Sequence, residues 1–420
     1  MSPSESQGRR VSDDPLRSGK RATAPPARPL VSAIVTTRNR ANLLREALES
    51  ILHQDGTGQE FDQETLVVDD ASTDFTADVM AKYPSVQYIR QQERRGPSAA
   101  RNVGALASHG QYIAFLDDDD LWLPGKLRLQ VRALESHPEA GAVYSHGILQ
   151  REGREEIWPK DPNPPSGAIF AALLKANLVG GVDRCLIRRA ALDSAGHFDE
   201  RLTTGEDYDL WLRLAFHFPF VFVPGRVGIY RPSPSGKLGV HLAEGRRTDA
   251  IRYTAEKAIA LLPDTPHNAL LKQQARAWAE IRVVLQLAEA RAADLALSQM
   301  IEAVRRCPTI LHKDEVRDTL VLTVRRCVET FDSPFSRARA VGEELHAAAG
   351  DRESGHDLRC TLAAIWGDAA VDLVRSSPRH WREVWSALMQ AVRHDGAHMT
   401  RRLFRGTRKL LQDLGDGRRR

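Results

Sequence analysis

Phe115-Leu116-Asp117-Asp118-Asp119-Asp120-Leu121-Trp122 decides the reading of this chain, because the apolar run Tyr112 to Leu116 feeds directly into four carboxylates. An apolar strand that ends in acid marks the carboxyl edge of a sheet, where open α/β folds place their chemistry. Adjacent carboxylates repel unless a cation sits among them, and hard oxygen ligands at this density suit Mg²⁺ or Mn²⁺, which in turn hold phosphate oxygens. If the strand alternation continues, Asp117 and Asp119 point to one side and Asp118 to the other. The competing reading of an isolated run is a solvated acidic turn that caps the next helix, so the neighbouring segments have to decide.

On both sides of this run the pattern alternates. Leu30 to Val35 reads as a buried strand, and Leu43, Leu44, Ala47, Leu48, Ile51 and Leu52 then recur at helical spacing. Strand Thr65 to Val68, helix Thr73 to Tyr83, strand Val86 to Arg90, helix Ser98 to Ser108, strand Tyr112 to Leu116 and helix Leu123 to Leu134 follow. This is the β-α-β rhythm of a doubly wound sheet. After Ala142 to Tyr144 the rhythm fails: Arg151 to Gly167 reads as a loop over the sheet edge, Val182 to Ile187 as a strand, Glu206 to Phe216 as a helix, and Phe220 to Val223 with Val227 to Tyr230 as two short strands. Beyond about Leu238 only helical periodicity remains, in Asp249 to Leu262, Ala269 to Val304, Lys313 to Thr330, Ala338 to Ala348, Leu358 to Val374 and His380 to Val392. The expected organisation is a disordered Ser/Pro/Arg-rich leader over 1–29, an α/β domain over 30–238 and an all-α domain with a basic tail over 239–420.

Composition bounds the partners. A chain of 420 residues exceeds what one core usually organises. With 42% apolar and 27% charged residues it is an ordinary globular protein. Its +4 net charge gathers at the two ends, which could meet an anionic membrane surface, while no basic patch with interleaved aromatics points to nucleic acid. Cys185, Cys307, Cys327 and Cys360 form no CxxC pair, so neither a disulfide framework nor a zinc site is implied, and a reducing, cytoplasmic compartment fits. The longest apolar stretches fall short of the roughly 20 residues a spanning helix needs, so membrane contact would be peripheral, at the inner face.

Three further strand ends support the acidic run. Val31-Ser32-Ala33-Ile34-Val35-Thr36-Thr37-Arg38-Asn39-Arg40 ends in hydrogen-bonding side chains suited to a nucleoside. Leu66-Val67-Val68-Asp69-Asp70-Ala71-Ser72-Thr73-Asp74 ends in carboxylates, one of which could accept the imide N–H of uracil, while Ser72 or Thr73 could cap the next helix. Arg95-Gly96-Pro97-Ser98-Ala99-Ala100-Arg101-Asn102-Val103-Gly104 is a turn into a helix whose Arg101 offers a planar fork for a diphosphate near the sheet edge.

With Gly196-His197-Phe198-Asp199-Glu200 and Gly205-Glu206-Asp207-Tyr208-Asp209-Leu210-Trp211-Leu212-Arg213, these segments make the chain resemble the family 2 glycosyltransferases, inverting enzymes of the GT-A fold, over roughly Leu30 to Arg231. The resemblance implies a nucleotide-sugar donor and a hydroxyl acceptor in a glycan, a lipid-linked species or a small molecule. It implies that Thr36 and Asp70 contact the base, that Arg101 lies near the nucleotide, and that Asp117 and Asp118 line the ribose and phosphate side. Asp119, with Asp117, would hold Mg²⁺ or Mn²⁺, and Asp207 of the Glu206-Asp207 pair would be the general base. Arg38 stands where many members stack an aromatic residue on the base, a role a guanidinium can also fill. Some members add a histidine ligand late in the domain; Tyr230-Arg231-Pro232-Ser233 has none, leaving His241 as a distant candidate.

Leu210, Trp211 and Leu214 follow Asp207 at helical spacing and should anchor its helix, with Asp209 expected at the surface. Gln273-Gln274-Ala275-Arg276-Ala277-Trp278 departs from the Gln-x-x-Arg-Trp string of processive synthases, which favours transfer of a single sugar. A sugar-nucleotide pyrophosphorylase would need glycines after the first strand, and Thr36-Thr37-Arg38-Asn39 has none. A non-catalytic scaffold would not need both acidic elements. The acceptor is not encoded in any motif, since fold alone does not fix function.

Overall fold

The computed structural model describes residues 28–151, 153–232, 246–289, 295–296, 298–299 and 302–303. The basic ends, His241, three of the four cysteines and the helical segments expected beyond 304 lie outside the described residues. In chain order the elements are β1 (Leu30–Thr37), α1 (Ala41–Leu52), β2 (Asp62–Asp69), α2 (Thr76–Met80), β3 (Gln87–Arg90), α3 (Pro97–Ala107), β4 (Tyr112–Asp117), β5 (Leu121–Trp122) and α4 (Lys126–Ser136). They continue with β6 (Ala142–Arg151), β7 (Arg154–Trp158), α5 (Phe170–Leu173), β8 (Cys185–Arg188), α6 (Arg189–Ala195), α7 (Glu206–His217), β9 (Phe220–Tyr230), α8 (Arg246–Leu261) and α9 (Pro266–Glu289).

These strands form one mixed sheet in the order β3-β2-β1-β4-β8-β6-β9-β5, with β7 paired to β6 alone. The first four positions are parallel, as the β-α-β rhythm requires, and β8, β7 and β5 run antiparallel to their neighbours. The register aligns Thr37 with Asp69 and Thr36 with Asp117. Three motif-bearing strand ends therefore finish side by side.

Both faces of the sheet are covered, and the strands show it residue by residue. Val31, Ala33 and Val35 of β1 join Tyr112, Ala114 and Leu116 of β4 in one core. Ile34, Ile113 and Phe115, which point the other way, belong to the second core, with Leu210, Trp211 and Leu214 of α7. Trp211 is fully buried and donates its ring N–H to the Gly180 carbonyl at 2.7 Å, so the anchoring role expected from helical spacing is met. Gly104 lets α3 lie close on the sheet, because a Cβ there would stand 2.4 Å from Ile34 Cγ2.

Three expectations are corrected. Residues 154–158 of the expected loop pair with β6 as β7. The two short strands at 220–230 are one strand, β9, whose pairing with β6 shifts register between Ser145 and His146, opposite Pro224-Gly225, where a proline without an N–H is tolerated in a bulge. Helix α2 is shorter than expected and capped by neither Ser72 nor Thr73; the Asp74 carboxylate takes the Thr76 N–H at 3.1 Å instead.

Candidate active site

The acidic run leaves the strand alternation at once. Asp120 N–H donates to the Asp117 carbonyl at 3.1 Å, closing a turn directly after β4. Asp118 and Asp119 consequently do not face opposite ways: one guanidinium group, Arg40 Nη1, contacts both, Asp118 Oδ1 at 2.9 Å and Asp119 Oδ2 in a very close ion pair. Asp118 is buried and takes further hydrogen bonds from Thr37 Oγ1 at 2.8 Å and the Arg38 N–H at 3.3 Å. Burial pushes its carboxyl up to about 6 even against the pull of Arg40. Arg231, at the far end of β9, fastens the turn from the other side. Its N–H donates to Asp120 Oδ1 at 2.9 Å, and its Nε donates to the Asp119 carbonyl at 2.6 Å.

Helix α3 brings the second acidic element to this turn. Ser98, Arg101 and Asn102 share one face by their i, i+3 and i+4 spacing, and all three hold the chain leading into α7. Ser98 Oγ donates to the Leu202 carbonyl at 2.9 Å, and the Asn102 amide both donates to the Phe198 carbonyl at 3.0 Å and accepts from the Phe198 N–H at 2.9 Å. Arg101 lies between, 3% exposed, donating to Asp117 at 2.6 Å and to Glu206 at 2.7 Å. Burial alone would lower its pKa, but the two carboxylates outweigh burial and raise it. It thus stands at the mouth of the sheet, between the end of β4 and the start of α7.

Gly205, at φ 71°, turns the chain into α7, and Glu206, Asp207 and Asp209 fill its first turn, where the helix dipole favours negative charge. Asp207 is half-buried, and its Oδ1 accepts only the neighbouring Tyr208 N–H at 2.7 Å. Burial, with Glu206 alongside, pushes its carboxyl up to about 7. Asp209 contradicts the expectation of a surface position. It is 1% exposed and paired with Arg213 at 2.9 Å and Lys257 at 2.7 Å.

On the β1 and β2 side, Asp70 is buried and both its oxygens are engaged, by the Arg95 N–H at 2.6 Å and the Gly96 N–H at 3.0 Å. Its own N–H donates to the Thr37 carbonyl at 2.9 Å, so Thr37 touches Asp70 through its backbone and Asp118 through its hydroxyl. Thr36 is buried beside Asp117 in the register, and Arg38 is exposed at the rim. The β1 and β2 exits both pass through left-handed backbone, Asn39 at φ 53° and Ala71 at φ 57°. For alanine that conformation carries strain of the kind that collects at functional sites.

Sequence reasoning missed Asp183 and Arg40. Asp183 and Arg184 form a buried pair before β8, and Asp183 Oδ2 has no hydrogen-bond partner. Burial, with Asp183 nearby, raises Asp120 well above the usual carboxylate range, and burial likewise raises Asp183. Among the described residues no three His, Cys, Asp or Glu side chains stand together as a ready-made metal cage. Asp117 and Asp119 nonetheless keep partly open carboxylates, 39% and 21% exposed, beside an unpartnered buried oxygen. That donor set fits a hard cation such as Mg²⁺, which takes one or two carboxylates and completes its shell with substrate phosphates.

Residues 32–196 match the model of the glycosyl transferase family 2. Residues 32–196 are thus a glycosyl transferase family 2 domain. The chain is 32% identical over 190 residues to an uncharacterized glycosyltransferase of Rickettsia bellii, a match that covers 44% of this chain and 26% of the relative. To the succinoglycan biosynthesis protein ExoO of Rhizobium meliloti it is 32% identical over 193 residues, 43% of this chain and 54% of the relative. The chain spans less than two thirds of the length of the first curated relatives it matches, from 26% to 62%. Among solved structures, a mannosyltransferase from Pyrobaculum calidifontis in complex with GDP-Man and Mn²⁺ superposes with a TM-score of 0.50 at 20% identity, covering 89% of this chain and 88% of that one. The fold is accordingly that of the GT-A glycosyltransferases, as the motifs implied.

Proposed function

We propose that this protein is a metal-dependent, inverting glycosyltransferase that moves a single sugar from a nucleoside-diphosphate donor, a UDP-sugar, to a hydroxyl acceptor in the making of cell-envelope polysaccharide or glycolipid. The observation that carries it is the bridge of Arg101 between Asp117 at the end of β4 and Glu206 at the start of α7. It gathers the acidic turn and the Glu206-Asp207 pair around one mouth of the sheet. The polysaccharide role is supported by relatives such as the succinoglycan biosynthesis protein.

Inverting transfer is an in-line displacement at the anomeric carbon. It needs a base for the acceptor hydroxyl proton and positive charge for the departing diphosphate. Asp207 is suited to the first need: its carboxyl is raised to about 7, and the residue is only half-buried. Glu206 stays locked to Arg101 and keeps the pair oriented. Asp119 and Asp117 would hold Mg²⁺ or Mn²⁺, and the cation would supply charge stabilisation to the leaving group. Asp118, held by Thr37 and Arg40, would face the ribose and phosphates. Thr36 and Asp70 would contact the base, since a carboxylate bonded once at each oxygen keeps acceptor capacity for an imide N–H, and Arg38 would stack on it. In this reading 30–238 is the transferase unit, acting in the cytoplasm; among the described residues no helix is long and apolar enough to cross a membrane.

General-base assistance contributes about 10² to 10⁴-fold. Asp207→Asn is therefore expected to lose turnover by that factor in a donor-hydrolysis assay while UDP affinity, measured by calorimetry, stays near wild type. Near-normal turnover with collapsed UDP affinity would assign Asp207 to donor binding and reject it as the base.

A further inference from the structure

We propose that helices α8 and α9 clamp the catalytic helix from outside, with Lys257 and Arg282 as positioning residues for the Glu206-Asp207 turn; this rests on the reading of Asp207 as the base. The grip falls on the first turn of α7, directly behind the pair. Lys257 Nζ joins two segments at once, Asp209 of that turn at 2.7 Å and Asp199 of the preceding loop at 2.8 Å. Tyr253, one turn earlier on α8, donates to the same Asp199 oxygen at 2.9 Å. Asp199 is followed by Glu200, which Asn102 and Arg95 hold from the α3 side at 3.1 and 2.8 Å. The loop and the start of α7 are thus pinned between α3 on the side of the site and α8 behind it.

Arg282 of α9 makes the second grip. Its guanidinium lies 5.1 Å from the centre of the Tyr208 ring, and Nη1 donates to the Leu174 and Lys175 carbonyls at 2.8 and 3.0 Å, just past the end of α5. Tyr208 follows Asp207 directly, and its hydroxyl donates to the Leu173 carbonyl in the same corner. Ala258, Ile259 and Leu262 from the α8 region and Ala275 of α9 join the core that holds Leu210 and Trp211. Arg252 and Glu280, paired at 2.9 Å, tie α8 to α9 and stiffen the clamp.

A buried ion pair is weak evidence of net stability, but removing one partner strands the other charge. Loss of Lys257 leaves the Asp209 carboxylate, 1% exposed, with Arg213 alone, so the strain is expected to relax through the turn that carries Asp207. Small displacements of a catalytic group cost about 10²-fold in rate.

The experiment uses the full chain with Mn²⁺ and whichever of UDP-N-acetylglucosamine, UDP-glucose or GDP-mannose it hydrolyses fastest. Lys257→Met is expected to lower kcat about 10²-fold with UDP affinity changed by less than about twofold, and Lys257→Arg to restore most of it. Arg282→Lys, a milder change that keeps the charge but loses the planar fork, should show the same split at about tenfold. Amide hydrogen exchange at 205–212 should quicken at least about tenfold in Lys257→Met while 31–37 and 112–117 stay unchanged. In an Asp207→Asn background, Lys257→Met should cost nothing further, because both act through one group. Unchanged exchange at 205–212, a parallel fall of UDP affinity and turnover, or additive losses in the double variant would overturn the clamp. Full turnover by Asp207→Asn alone would reject the base instead, with the exchange result still deciding the clamp.

Discussion

As the proposed base, Asp207 would set a pH dependence in opposite directions for activity and stability. Its carboxyl titrates at about 7 in the fold, above the ordinary value of 3.8 that it recovers on unfolding. Between these values the folded protein holds a proton that the unfolded chain has released, so stability falls as pH rises through that window. A base must be ionised, so turnover should climb with unit slope up to about pH 7, the direction in which stability is lost. Asp207→Asn, which cannot ionise, should melt above wild type by upwards of about 5 °C at pH 8, and the difference should close near pH 4. Equal melting at both pH values would contradict a carboxyl forced to ionise against burial. At this scale the motifs named most of the residues around the mouth but not their partners. Asp183 was illegible because an Asp-Arg pair before a strand matches no spacing rule, and Asp209 was misplaced because its neutralising Lys257 comes from a helix far along the chain.

Helix α3 is the element that joins the two acidic groups, and its seat on the sheet depends on Gly104. A Cβ at that position would meet Ile34 Cγ2 at 2.4 Å and Val68 Cγ2 at 3.2 Å, both on buried side chains. Alanine would gain about 1 kcal/mol of helix propensity, but overpacking typically costs 1–3 kcal/mol and should win here. Gly104→Ala is expected to lower the melting temperature and, by shifting Arg101 nearly one turn away, to lower turnover as well. A more stable variant of full activity would show that α3 has room to spare. The parallel β-α-β half was readable because buried strands and amphipathic helices carry strong periodic signals. The antiparallel half was readable only in part: the start of β6, β8, α7 and most of β9 were expected, β7, α5 and α6 were not. β7 carries Arg154, Glu155 and Glu156 on an edge, where charge discourages pairing with other chains, and α5 and α6 are too short for a helical period to emerge.

At the scale of the described residues, two cores cover the two faces of the sheet, and α8 and α9 extend the face that carries α7. Their helical character was evident from periodicity, but their docking on the turn behind Asp207 was not, because contacts between distant segments leave no local trace. The same applies to the mouth of the sheet, where β1, β2 and β4 end together and α3 draws α7 in. A binding site made this way carries excess carboxylate: Asp117, Asp118, Asp119, Asp120, Asp183, Glu206 and Asp207 converge on a region whose cations include Arg40, Arg101, Arg184 and Arg231. A nucleoside diphosphate would add further negative charge, so its binding should require a divalent cation. Calorimetric titration of UDP into the full-length protein, with Mn²⁺ and then with EDTA, tests this most directly. Binding at least about tenfold tighter with Mn²⁺, abolished in Asp119→Asn, is the expected result; equal affinity with and without the metal would contradict a cation held between the acidic turn and the donor.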